Sequence, residues 1–216
     1  MHIMTQLYRI NNFYPVLKEN FTSNKRRWEI TDADTENTYI NEGHYFMQNK
    51  SIENWKYYKI KTLLKSKDNF VIDTTIELID YDVPGHFGLV WGFNKDVNLL
   101  NKFTISVDAE RSLMMFFDKN YRTIYSRYQC KKLPKINIKK PIRFSIIKLG
   151  VSYYFLVNNT IISIIHESQF IHDGPYLGYY IEPGLKIKSK YLTVKRINAM
   201  EMDVVSGLNM LLDKMF

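Results

Sequence analysis

Between residues 21 and 197, apolar and polar positions alternate in short runs separated by turn-forming residues. In 70–79 (FVIDTTIELI), Phe70, Ile72, Ile76 and Leu78 fall on one face of an extended strand, with Asp73, Thr75 and Glu77 on the other. Residues 102–108 (KFTISVD) repeat this with Phe103, Ile105 and Val107, and 87–93 (FGLVWGF) follow a Val83-Pro84-Gly85 turn. Residues 113–117 and 123–127 flank Asp118-Lys119-Asn120 as a hairpin. Residues 142–148 turn at Leu149-Gly150 into 152–157, which turn at Asn158-Asn159 into 160–166. Asn tolerates the positive φ angles that a two-residue turn requires. Residues 176–181 and 185–197, punctuated by Pro183-Gly184, complete the series. Regularly spaced strands without long helical patterns between them predict an all-β, two-sheet antiparallel sandwich.

The pattern changes at the end of the chain. Val204, Val205, Leu208, Leu211, Leu212 and Met215 recur at spacings of three and four, predicting an amphipathic α-helix over 198–216 with Asn198 as its N-cap. Gly207 weakens it by about 1 kcal/mol, and a helix of roughly 17 residues is marginal unless it packs on something. It docks either on its own sandwich or, through Val205, Leu208, Leu212 and Met215, on a partner or a second copy. The organisation expected is an N-terminal extension (1–20), a sandwich (21–197) and a C-terminal helix (198–216).

Composition agrees with strands: 16 Tyr and 13 Phe stand beside 9 Gly and 6 Pro in 216 residues. A chain of this length buries roughly 70 % of its unfolded surface and needs no covalent staples. The net charge of +8 raises the question of nucleic acid, but the basic residues are scattered, with short clusters at 25–27, 131–132, 139–140 and 186–190. Nucleic acid is therefore not the expected partner, and abundant Lys, Asn, Ile and Tyr together fit an AT-rich genome. Cys130 is the one cysteine, which excludes an intrachain disulfide and a cysteine zinc site. The N-terminal stretch lacks the apolar core of a secretory signal, and no apolar run approaches about 20 residues. A cytoplasmic location is expected, which leaves the sequons at Asn20, Asn49 and Asn158 without a role.

Seven segments, in this order, resemble the concanavalin A-like lectin/glucanase superfamily, especially its laminin G-like bacterial members. Phe21-Thr22-Ser23-Asn24 with Trp28 is similar to the family's opening strand. Asn41-Glu42-Gly43-His44-Tyr45-Phe46 and Asp68-Asn69-Phe70-Val71-Ile72 resemble its G-x-Y and D-F-x-I strand openings. Phe87-Gly88-Leu89-Val90-Trp91-Gly92 and Asn101-Lys102-Phe103-Thr104-Ile105 look like adjacent central strands. Tyr154-Phe155-Leu156-Val157-Asn158-Asn159 is similar to its F-x-V-N-G hairpin, with Asn159 in place of Gly, and Gly174-Pro175-Tyr176-Leu177-Gly178-Tyr179 to its later G-x-x-G strand. The resemblance covers most of 21–197 and implies a jelly roll; it speaks for fold more than activity.

Glucanases of that superfamily carry a strand motif Glu-x-Asp-x-x-Glu, in which residues two apart gather carboxylates on one face. Glu77 and Asp80, like Glu29 and Asp32, are three apart and face opposite ways; Asp32 and Asp34 share a parity in a run that reads as an exposed loop. Glycoside hydrolysis is thus the remote alternative. His2, His44, His86, His166 and His172 lack metal-ligand spacing, and Cys130, flanked by Lys131 and Lys132, has no partner histidine in view. No cofactor is expected. Relatives hold calcium at a sheet rim, a role for which Asp96, Asp108 and Asp118 are the candidates.

A non-catalytic recognition module remains, taking a carbohydrate or a protein partner through a sheet face or rim loops. Trp55, Tyr57, Tyr58, Tyr121 and Tyr176 are the candidate ligand-binding aromatics, whereas Trp28 and Trp91 lie in strand patterns and belong to the core. The alternation of Trp55-Lys56-Tyr57-Tyr58 sends one aromatic parity inward. The alternative is an intracellular assembly protein acting through its C-terminal helix.

Overall fold

The computed structural model describes residues 7–65, 67–94, 99–107, 111–117, 131–132, 136–167 and 174–202. In chain order these form β1 (Leu7–Glu19), β2 (Thr31–Ala33), β3 (Glu36–Asn41), β4 (His44–Asn49) and β5 (Lys56–Lys61). There follow β6 (Phe70–Tyr81), β7 (His86–Asn94), β8 (Leu99–Ser106), β9 (Arg111–Phe117) and β10 (Lys131–Lys132). The last five are β11 (Ile142–Leu149), β12 (Ser152–Val157), β13 (Thr160–His166), β14 (Tyr176–Ile181) and β15 (Leu185–Met202). Among the described residues they make two antiparallel sheets. Nine strands run β13-β12-β11-β6-β15-β4-β3-β2, with β1 also on β15, and six run β10-β9-β8-β7-β14-β5. This is the two-sheet antiparallel sandwich expected from the alternation, and no described helix is long and apolar enough to cross a membrane.

The inward parity of each strand builds the core. Phe70, Ile72 and Ile76 of β6, Phe144 and Ile146 of β11, and Phe155 of β12 meet Leu89, Trp91, Phe103, Ile105 and Tyr179 of the smaller sheet. Phe103 sits edge-on to Phe144 at 5.4 Å and to Phe155 at 5.2 Å, each such pair contributing about 1 kcal/mol beyond the area it buries. Trp28 and Trp91 are both core residues as predicted, but only Trp91 lies in a strand; Trp28 sits in the connection between β1 and β2. One polar knot interrupts this core. A bulge in β15 between Ser189 and Leu192 turns the Tyr191 carbonyl inward, where Thr74 Oγ1 and Ser189 Oγ donate to it. Tyr179 OH joins Ser189 Oγ at 2.7 Å, so the polar atoms satisfy one another.

The outward face of the larger sheet is equally specified. Asp73 accepts from Arg143 Nε at 2.8 Å and Nη2 at 2.9 Å, from Ser145 Oγ at 2.7 Å and from Tyr191 OH at 2.9 Å. Beside this network, Val71, Ile147, Leu149, Tyr154, Leu156 and Ile197 form a second buried apolar cluster.

Several boundaries differ from the sequence reading. Residues 7–19, placed there ahead of the sandwich, are β1, and residues 31–41, read as holding an exposed loop, are the β2–β3 hairpin. Residues 198–202 are not the start of a helix: they continue β15, because β1 offers them a partner strand from Asn12 to Leu7. Residues 203–216, with Val205, Leu208, Leu212 and Met215, lie outside the described residues, as do 123–127. The 158–159 turn is as predicted, with φ of +47° at Asn158 and +68° at Asn159. The β11–β12 turn lies one residue later than expected, at Gly150-Val151.

Candidate functional site

The outward face of the smaller sheet gathers what the sequence reading separated. Register sets Tyr180 of β14 opposite Tyr57 of β5 and Gly88 of β7. One step along, Gly178 lies opposite Lys59 and Val90, and Val90 opposite Lys102 of β8. Alternation turns Tyr58 and Tyr179 into the core and leaves their neighbours Tyr57 and Tyr180 outward. The close approach of β14 to β5 requires glycine at 178: a Cβ there would stand 1.8 Å from the Tyr58 carbonyl oxygen.

Trp55, Tyr57 and Tyr176 are partly exposed and pack with buried Val90 and Tyr180 into one apolar strip. The Trp55 ring lies 5.3 Å from Tyr57 and 5.7 Å from Tyr180, with interplanar angles of 33° and 34°. Two ammonium groups sit on this strip, Lys59 Nζ 4.0 Å from the Tyr57 centroid and Lys102 Nζ 3.9 Å from that of Tyr180. Burial pushes the Lys102 amine down to about 8, against a smaller upward pull from Glu182.

At the Trp55 end, Glu182 closes the face. Its Oε2 accepts the His86 backbone N–H at 2.8 Å and lies 3.1 Å from His86 Nδ1, while Tyr180 OH donates to Oε1 at 3.1 Å. Burial raises the Glu182 carboxyl, but the His86 contacts and Lys102 outweigh it, leaving the carboxyl below its ordinary value. Burial pushes the Tyr180 hydroxyl up, and neighbouring Glu182 adds to this.

The predicted aromatics therefore divide. Trp55, Tyr57 and Tyr176 come together, Tyr58 is an interior residue donating to Glu36 Oε2 at 3.1 Å, and Tyr121 lies outside the described residues. The sequence reading missed Tyr180, Lys59, Lys102, His86 and Glu182. Parity was the available signal: Tyr180 is four residues from Tyr176, and Lys59 two from Tyr57.

The carboxylates weighed for catalysis are dispersed. Glu77 pairs with Lys188 at 3.1 Å, Asp32 with Lys50 at 3.7 Å and Glu36 with Lys56 at 3.3 Å. The six strands of the smaller sheet contain no Asp or Glu, and the outward positions of β7 are His86, Gly88, Val90 and Gly92. Among the described residues no group of three or more His, Cys, Asp or Glu side chains is placed to hold a metal ion. Asp96, Asp108 and Asp118 lie outside them.

No family model and no curated protein matches the chain. Among solved structures, it is similar to the carbohydrate-binding module CBM66 from Bacillus subtilis, with a TM-score of 0.52 and 12 % identity over 87 % of this chain and 97 % of that one. An endo-β-1,3-glucanase from Pyrococcus furiosus aligns with a TM-score of 0.62 and 12 % identity, covering 93 % of this chain and 98 % of that one. A Bacillus subtilis protein of unknown function with a galectin-like fold gives 0.61 and 9 %, covering 88 % and 99 %. These likenesses establish the fold, the jelly-roll sandwich that the sequence resemblance implied.

Proposed function

We propose that the chain is a carbohydrate-binding module that acts without catalysis, with its ligand lying on Trp55, Tyr57 and Tyr176. The observation that carries this reading is the half-exposed aromatic strip with polar groups at its margins. A sugar ring has an apolar face that packs on indole and phenol rings while its hydroxyls meet polar groups, the usual division of labour in a ligand site. The similarity to a carbohydrate-binding module and to a glucanase agrees with such a ligand.

A non-catalytic role is supported by charge. Glycosidic cleavage uses two carboxyl groups about 5–9.5 Å apart across the scissile bond. The strands beneath the strip supply none, and Glu182, just beyond β14, is held by His86 and Tyr180. Ring packing requires no metal, so chelator should leave binding intact. The test is a glycan array probed with the wild-type chain and with Trp55→Ala and Tyr57→Ala. Saturable binding to one sugar class, weakened at least tenfold in both variants and without release of reducing ends, is expected. Binding that ignores both substitutions, or turnover of the bound glycan, would sink the reading.

A further inference from the structure

Charge is distributed unequally between the two sheets. The charged residues of the smaller sheet are all basic: three lysines in β5, one in β8, an arginine in β9 and two lysines in β10. The larger sheet mixes both signs and pairs them, Asp73 with Arg143 and Glu77 with Lys188. Positive charge is thus concentrated in the strands of the smaller sheet, with β9 and β10 at one edge and β5, which carries part of the aromatic strip, at the other.

Edge strand β5 arranges part of that charge for use. Trp55, Tyr57, Lys59 and Lys61 share the outward parity, so two rings are followed by two ammonium groups at steps of about 6.7 Å. Lys59 is fixed over the Tyr57 ring, and Lys61 is exposed and opposite Tyr176 in register. Lys56, on the other parity, is engaged with Glu36 at 3.3 Å. Glu182 lies at the Trp55 end, away from Lys61, because Ile181 pairs with Lys56 while Tyr176 pairs with Lys61.

Resting on the reading of this face as a carbohydrate site, we infer that its ligand is an acidic glycan, a sugar ring on Trp55 and Tyr57 carrying a carboxylate or sulfate to Lys59 and Lys61. The rings supply packing that does not depend on salt, and the ammonium groups supply selection that does. Carboxylate and sulfate present the same charge to an ammonium group, and separate ligand arms distinguish them.

The experiment is calorimetry on the full chain with a uronate oligosaccharide, a sulfated oligosaccharide, a neutral oligosaccharide of equal length and polyglutamate, at low and moderate salt. At least one acidic glycan should bind tenfold or more tightly than the neutral one, with the advantage shrinking as salt rises. Lys59→Met/Lys61→Met should abolish that advantage, so that the acidic and the neutral glycan bind the variant alike. Polyglutamate should bind no better than the neutral sugar; equal binding of it and the acidic glycan would mark simple ion exchange and overturn the inference. Neutral and acidic glycans binding alike would overturn it while leaving the carbohydrate reading intact, and so would acidic preference that survives the double substitution. No binding to any glycan would remove the carbohydrate reading itself, and this inference with it.

Discussion

The outward faces of the two sheets use polar chemistry in opposite ways. On the larger sheet, Asp73 receives two bonds from Arg143 and one each from Ser145 and Tyr191, and Asn159 Oδ1 accepts a further Arg143 N–H at 3.3 Å. This network ties β6, β11 and β15 together, and its carboxylate has little capacity left for a ligand. On the smaller sheet, the rings of Trp55 and Tyr57 stay partly exposed, and the charged strand residues beside them are basic, with Glu182 beyond β14 at the Trp55 end. The first arrangement spends its interactions internally and stabilises the fold. The second leaves Trp55, Tyr57 and Tyr176 partly exposed, which is what recognition needs.

Gly178→Ala should break the distinction, because it strikes fold and site together. A Cβ 1.8 Å from the Tyr58 oxygen forces β5 away from β14, and a cost above about 3 kcal/mol, the upper end of overpacking, is expected in denaturant unfolding. Ligand binding should fall with it. Asp73→Ala should sharpen the contrast by removing only structure. It strands the Arg143 guanidinium and Ser145, so about 3 kcal/mol should be lost with glycan affinity in the folded protein unchanged.

Lys102 makes the smaller sheet's face sensitive to pH. Folding lowers its amine from 10.5 to about 8, so between those values the unfolded chain holds more protons and stability rises with pH. Below pH 8 both states are charged and the whole burial cost remains. Tyr45, Tyr58, Tyr179 and Tyr180, whose hydroxyls burial pushes up, reverse the trend above about pH 10, where unfolded tyrosines ionise. Unfolding free energy should therefore climb between pH 8 and 10, by no more than about 3 kcal/mol, and Lys102→Met should flatten that climb. A flat wild-type profile would contradict the burial of a charged amine. The smallest stability change should come from Trp55→Ala, under about 1 kcal/mol in unfolding, yet with at least a tenfold loss of affinity, about 1.4 kcal/mol in binding.

Local pattern made much of this molecule legible. The alternation of 70–79 is the inward face of β6, and Asn158-Asn159 is the turn its chemistry demands. Failures came where a distant partner decided the outcome. Residues 198–202 precede the helical periodicity of 204–215 and include its N-cap candidate Asn198, but β1 pairs with them across almost the whole chain. Pro15 made β1 hard to recognise, and the structure accommodates it on β15 with an irregularity between Pro15 and Leu17. The site divided in the same way. Trp55 and Tyr57 were legible because their own strand alternates, whereas Tyr180 and Lys102 reach them only through the order β8-β7-β14-β5.

The position of β15 has a kinetic consequence. It lies inside the larger sheet, with β6 along one side and β4 and then β1 along the other. It also leaves the ribosome after the other fourteen described strands. Until it arrives, β6 and β4 each keep an open edge beside the apolar residues of the core, and no local contact can substitute for the missing strand. Folding of this chain is therefore governed by long-range closure, which is slow and exposes sticky edges while it waits. The same strand that makes the finished sandwich continuous makes the nascent one dependent on rapid completion or on a chaperone.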